Sequence, residues 1–436
     1  MWWILIYFIV IYNMLSDSFS NLIVLFIAIL LSCSDPEKHM DDILQIDIRK
    51  AETREYVNAS EVVSKIEYVV LETLPQCLIG NTYRLSVSEN YILVFSNPSC
   101  YLFSRTGQFI RTISQRGNGP VDLRFDYYYI KIYEQSDMVY LMNTNEICAY
   151  RISGEFVKRL KLKESKIISD SAYSSLHNIT HWKDDLFCAN FNLNSGKEPY
   201  RGIIFTLDGE ILKLFPNFIF FENSHKGIYS GNSINYNADI YCLNEQLFFK
   251  EQLCDTLFQI TDQLDLVPEI VFNLPGKPIP TNMRSPQVLL SPEYYIIHYL
   301  YATENCLLLF GTNEQLLYDK KINRLFSFKH DPLLNYEKVI PPLAIGSSTN
   351  TRTINMEGLR NDIDGGFPVW HHHMANIQHD NQLLNTFQSY LFKELLTEKH
   401  FSRQNIKDRE AHQQLRNLLE NLDWEDNPVL MIATFN

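Results

Sequence analysis

The chain has 436 residues, 46% hydrophobic and only 20% charged, which excludes a disordered polypeptide and supplies enough apolar surface for a large core. Its 38 basic and 51 acidic residues give a net charge of −13, so no basic field exists to neutralise a phosphate backbone, and nucleic acid is not an expected partner. Aromatic residues reach 13%, led by 27 Phe and 25 Tyr, which favours pleated sheet over helical bundles, and the 16 glycines exclude a collagen-like or linker-rich chain.

Met1 to Cys33 contains no Lys or Arg and carries two apolar runs, Trp2 to Tyr12 and Leu22 to Leu31. Neither reaches the roughly 20 continuous apolar residues of a transmembrane helix. The second run ends in Leu30, Leu31, Ser32 and Cys33, which resembles a bacterial lipobox. This predicts a signal peptide over 1–33, lipidation of Cys33 and membrane attachment through that N-terminal lipid. An uncleaved anchor helix is the competing reading. The first basic residue is Lys38, beyond the expected cleavage point, so Met14 is an alternative start to Met1. Residues 34–45, with Asp35, Glu37, Asp41 and Asp42, are expected as an acidic tether, and 46–436 as the folded domain. Lipidation of Cys33 would leave an odd number of cysteines, and no CxxC occurs, so neither a disulfide framework nor a zinc ribbon is implied.

One shape recurs along the folded region: an aromatic-bearing strand, a short turn and a second alternating strand. The copies read YLFSRTGQFIRTI from Tyr101, CAYRISGEFVKRL from Cys148, IIFTLDGEILKLF from Ile203, LFQITDQLDLV from Leu257 and LLYDKKINRLFSF from Leu316. Their leading aromatics are Phe103, Tyr150, Phe205, Phe258 and Tyr318, spaced by 47, 55, 53 and 60 residues. Four short strands with their connections need roughly 40 to 50 residues, so this is the period of a propeller blade. The second unit shows all four strands, from Tyr127, Met138, Ile147 and Phe156, separated by the turns EQSD, NTNE and SGE. A β-sandwich also needs short alternating strands but does not predict this recurrence.

Two apolar strands stand outside the repeat, Ile66 to Thr73 and Val429 to Phe435. Pairing them in one blade would hide both edges and close a ring of six. The expected fold is therefore all-β: a six-bladed β-propeller of four-stranded antiparallel blades, with a helical insertion over about 381–422 before the closing strand 429–435. Within the insertion, Leu384, Phe387, Leu391 and Leu395 fall on one face of a helix over 381–398, and Leu415, Leu418, Leu419 and Leu422 on one face of another over 408–422.

The repeat, the lipobox and the segments ISQRGNGPVDLRF from Ile113, FFKEQLCDTLFQI from Phe248, NDIDGGFP from Asn361 and DNPVLMI from Asp426 together resemble the six-bladed propeller lipoproteins of bacteria whose outer membrane is densely supplied with lipoproteins. The resemblance spans nearly everything after Cys33. It implies an architecture and a location as an outer-membrane lipoprotein of the cell envelope, without a substrate. Two departures stand out: the loop RGNGP, and the run His371 to His373.

Motifs for a serine hydrolase, a zincin, a P-loop or a dinucleotide fold are absent. Arg116 and Asn118 lie in a Gly-rich loop whose N–H groups and guanidinium suit an anion. Trp370 and His371 are further candidate ligand contacts, because an aromatic face stacks while polar edges hydrogen-bond. Asp362 and Asp364 with Gly365 and Gly366 offer carboxylate oxygens that would suit calcium, although the full calcium-loop pattern is missing and a structural turn competes. No other cofactor is implied. His177 and His181 would share a metal only on a helix, whereas their surroundings read as loop entering a strand. The expected function is binding of a small molecule, glycan or peptide at the cell envelope. Two alternatives remain: an enzyme of the lactonase or lyase kind with a channel metal, and a scaffold docking an envelope protein through the helical insertion.

Overall fold

The computed structural model describes residues 43–164, 176–191, 198–217, 238–251, 253–277, 293–329, 334–340, 350–370, 377–379 and 381–436. The chain opens with β1 (Leu44–Asp47), β2 (Glu52–Arg54) and β3 (Val63–Val70). Blade one follows as β4 (Arg84–Val87), β5 (Tyr91–Ser96), β6 (Ser99–Ser104) and β7 (Phe109–Gln115). Blade two is β8 (Tyr129–Tyr133), β9 (Met138–Met142), β10 (Glu146–Arg151) and β11 (Phe156–Lys161). Blade three is β12 (Leu176–His181), β13 (Leu186–Phe191), β14 (Tyr200–Thr206) and β15 (Ile211–Pro216). Blade four is β16 (Ala238–Leu243), β17 (Gln246–Glu251), β18 (Thr256–Ile260) and β19 (Leu266–Asn273). Blade five is β20 (Tyr299–Ala302), β21 (Cys306–Gly311), β22 (Glu314–Asp319) and β23 (Arg324–Phe328).

A separate hairpin, β24 (Asn335–Ile340) and β25 (Asn350–Asn355), precedes β26 (Ile377–His379) and β27 (Gln382–Phe387). Helices α1 (Ser389–Leu395), α2 (Glu398–Phe401) and α3 (Arg409–Asn421) lead to β28 (Val429–Phe435). Blade six has the order β26-β27-β28-β3, so its outermost strand comes from the other end of the chain. The register runs from Val70 opposite Val429 to Val63 opposite Phe435, and Ser64 Oγ donates to the Thr434 carbonyl at 3.0 Å. The pairing expected of the two orphan strands is thus present.

Each innermost strand packs beside the next: β26 by β4, then β8, β12, β16 and β20. The protein is a six-bladed propeller, and among the described residues its core is divided accordingly into six buried clusters, each shared by neighbouring blades. Leu93, Cys100 and Leu102 of blade one meet Val139, Leu141 and Cys148 of blade two, while Tyr101 and Phe103 turn the other way to meet Leu384, Leu430 and Ile432 of blade six. Period-two alternation sends successive side chains to opposite faces, so middle strands such as β5 and β9 serve two cores and read as apolar runs.

That double burial explains one correction. Of the segment Asn381 to Glu398, expected as one helix, Gln382–Phe387 is instead the strand β27: Leu384 faces blade one while Leu383 and Phe387 face blade five. An apolar run buried on both faces mimics helical spacing, and only Ser389–Leu395 is helical in that segment. The second expected helix is present as α3, capped by the Asp408 side chain accepting from Ala411 N, with Leu415 buried and Leu418 and Leu419 packed on the core. The tether expected through residue 45 also gives way early. Strand β1 starts at Leu44 and adds a fifth strand to blade four beside β19, while Ile46 and Ile48 enter the core between blades four and five. Strand β2 runs parallel to β23, so these two segments cover the outer edges of blades four and five. All seven cysteines among the described residues are free thiols, five of them buried.

Candidate functional site

An antiparallel meander fixes which loops share a face. Connections from a fourth strand to the next blade, and from second to third strands, emerge on one side of the ring. The other turns emerge opposite. Loop 116–128, leaving β7, and the Asn97–Pro98 turn between β5 and β6 therefore meet on the first side. There Pro98, Arg116, Gly117, Asn118 and Arg124 line an open cleft of about 600 Å³.

The loop is rigidly built. Arg116 N donates to Pro98 O at 2.8 Å, Leu123 N to Gln115 O at 3.0 Å and Gly117 N to Leu123 O at 3.2 Å. Gly119 N donates to Asp122 Oδ2 at 2.7 Å, so the backbone wraps the Asp122 carboxylate. A Cβ on Gly117 would stand 2.2 Å from that oxygen, which is why glycine occupies the position.

Blade two holds the loop from beneath. Arg159 on β11 donates to Pro120 O at 2.9 Å and Asp122 O at 2.5 Å, and Tyr150 OH to Val121 O at 2.8 Å. Arg159 Nε lies 3.4 Å from Glu146 Oε2, both side chains being nearly inaccessible, and Tyr127 OH donates to the other Glu146 oxygen. Burial pushes the Cys148 thiol and the Tyr127 hydroxyl up, so neither is an activated nucleophile. Above this base, Arg116 reaches toward Asp126 at 3.9 Å, and among the described residues Arg124 has no carboxylate partner. Val121, Phe125 and Tyr128 on the same loop are exposed. Two guanidiniums beside exposed apolar groups can hold a carboxylate or other anion bidentately while an apolar moiety packs alongside.

The structure thus brings Arg116 and Asn118 together at one cleft and separates them from the other expected contacts. Trp370 is only 2% exposed and packs edge-on to Phe310, so its ring belongs to the core; its backbone, at φ of 69°, donates its N–H to Asn385 Oδ1. Cys33 and His371 to His373 lie outside the described residues. Asp362 accepts from Ser60 N and Oγ and pairs with Lys407 at 3.0 Å. Asp364 Oδ1 accepts from Tyr68 OH, Asn361 Nδ2 and Gly366 N, leaving Oδ2 buried without a partner. The two carboxylates thus serve separate networks: Asp362 ties the 361–366 turn to Ser60 and Lys407, and Asp364 ties it to Tyr68 on β3. Among the described residues no three His, Cys, Asp or Glu side chains converge as metal ligands would. His177 and His181 lie on the inner strand β12, and His181 Nε2 donates to Asp184 O while its ring stacks on Tyr140, with burial pushing its pKa down to about 4. Sequence reasoning missed Arg124 and Arg159. Arg124 stood within the quoted run ISQRGNGPVDLRF, whereas nothing local marks Arg159.

Burial raises Asp364 to about 6. The folded form therefore holds this proton more tightly than the unfolded chain, a contribution present below the unfolded value of 3.8 and lost as pH rises through about 6. Asp364→Asn is expected to gain stability relative to the parent between about pH 4 and pH 7, by up to about 3 kcal/mol, in urea unfolding at both ends of that range.

The fold defines a six-bladed β-propeller with an open, arginine-lined cleft on one loop face. The chain belongs to the DUF4934 family, a domain of unknown function that matches residues 43–434. No curated protein matches it. Among solved structures, it is similar to a Bacteroides fragilis protein whose name assigns it to export, at 15% identity and a TM-score of 0.60, covering 90% of this chain and 99% of that one. A member of the DUF4221 family from Bacteroides vulgatus matches at 10% identity and a TM-score of 0.45, covering 88% of this chain and 98% of that one. Virginiamycin B lyase from Staphylococcus aureus matches at 15% identity and a TM-score of 0.34, covering 61% and 74%. At 15% identity the likeness to the Bacteroides fragilis protein is one of fold alone.

Proposed function

We propose that this protein is an exported propeller, anchored through lipid on Cys33, that binds a carboxylate-bearing small molecule, glycan or peptide in the Arg116–Arg124 cleft at the cell envelope. The observation that carries the reading is an unpaired guanidinium at an open cleft in a chain of net charge −13, on a loop held rigid by Arg159. Such a local reversal of sign selects an anionic ligand against the field of the whole protein. The apolar run before Cys33 and the exported fold relative support the address.

The test is calorimetry with matched pairs of ligands: acidic against neutral oligosaccharides, and peptides with free against amidated C termini. Binding is expected only for the carboxylate member of a pair. Arg124→Met is expected to weaken it at least about tenfold, and salt to weaken it further. Equal binding of amidated and free peptides, or full affinity in Arg124→Met, contradicts the reading.

A further inference from the structure

Three exposed large apolar side chains rise from segments that meet at one buried residue. Leu78, Tyr390 and Trp424 are 56%, 42% and 55% exposed. Asn427 joins their segments: its Oδ1 accepts from Ile79 N at 2.8 Å, and its Nδ2 donates to Glu72 O at 2.7 Å and Cys77 O at 3.0 Å. Its carbonyl accepts from Ser389 Oγ at 2.7 Å. Thus Leu78 stands between two residues tied to Asn427, Tyr390 follows a third, and Trp424 precedes Asn427 in the turn closed by Asp423 N donating to Asp426 Oδ2. These segments begin where β3 and β27 stop and β28 starts, so the patch lies on the same side of the ring as the arginine cleft, at blade six.

Its electrostatics are opposite to those of the cleft. Asp423 and Glu425 flank Trp424, and Glu394 lies one helical turn from Tyr390. Among the described residues none of these three carboxylates is in an ion pair, and Lys393, on the same helix as Tyr390 and Glu394, gives its ammonium to the Leu419 and Leu422 carbonyls. Two exposed aromatic residues, each with unpaired carboxylates beside it in the chain, suit a guanidinium or ammonium over a ring face, with its aliphatic stem on apolar surface such as Leu78. The fixed base means little ordering cost on binding. An anionic membrane surface would be repelled.

We infer that Leu78, Tyr390 and Trp424 form a docking surface, distinct from the arginine cleft, for a segment of a partner protein that carries Lys or Arg between apolar residues. The probe is a fluorescein-labelled peptide of alternating Lys and Leu, with the Glu and Leu counterpart as control, followed by fluorescence anisotropy on the full chain. The Lys peptide is expected to bind and the Glu peptide not. Tyr390→Ala with Trp424→Ala is expected to lower its affinity at least about tenfold, and Asp423→Asn with Glu425→Gln to flatten its salt dependence. Ile322→Ala, equally exposed at 54% but on the β22–β23 turn of the opposite face, is the control expected to change nothing. No binding of the Lys peptide, equal binding of the Glu peptide, or equal loss in Ile322→Ala overturns the inference. So does a dimer in sedimentation that Trp424→Ala dissolves, which would give the surface to a second copy.

Discussion

Replacing Arg159 by Met is expected to lower stability by about 3 kcal/mol or more and to weaken ligand binding in the cleft at least about tenfold. Two effects act together. The first is electrostatic: Glu146, 3.4 Å away, would be left charged in a site from which water is nearly excluded. The second is structural, because the Pro120 and Asp122 carbonyls lose their donors and the loop bearing Arg116, Asn118 and Arg124 loses its support. A second variant separates them. Arg159→Met with Glu146→Leu removes the stranded charge, so most of the stability returns in urea unfolding. The loop stays unsupported, so calorimetry continues to read weak binding. Recovery of both in the double variant would mean that the loop does not depend on Arg159.

The blades were legible because a strand buried on both faces and a turn exposed at one rim recur together. Phe103, Tyr150, Phe205, Phe258 and Tyr318, found by alignment alone, all sit on the third strand of their blade. The same double burial hid β27, where Leu384 and Phe387 fall three apart and imitate a helix face while serving cores on opposite sides. Strands β1 and β2 were illegible for another reason. They are four and three residues long, and what makes them strands is the edge of a partner more than 200 residues away in the chain, such as Phe326 opposite Glu52.

The site divides in the same way. The tight loop that carries Arg116 and Asn118 was readable because RGNGP is local turn chemistry, and its glycines are needed where the backbone closes on Asp122. Arg159 could not be read, since its role comes from the next blade meeting the loop. Trp370 misled for the opposite reason: a Trp beside three His looks like a binding surface, yet Phe310 and Asn385 hold it in the core.

Every placement on the loop face depends on the ring closing through blade six, where β3 and β28 pair across almost the whole folded chain. Lys65 lies directly opposite Thr434 in that pairing. Opposed residues of antiparallel strands have Cα atoms roughly 4.5–5.5 Å apart, within reach of a disulfide. Lys65→Cys with Thr434→Cys should therefore cross-link on oxidation and, by closing so long a loop, stabilise the fold by up to about 5 kcal/mol. Peptide mass mapping of the oxidised, unreduced double variant is predicted to show positions 65 and 434 joined, with a melting temperature that falls when the bond is reduced. Two free thiols at these positions after the same oxidation would contradict the closed ring.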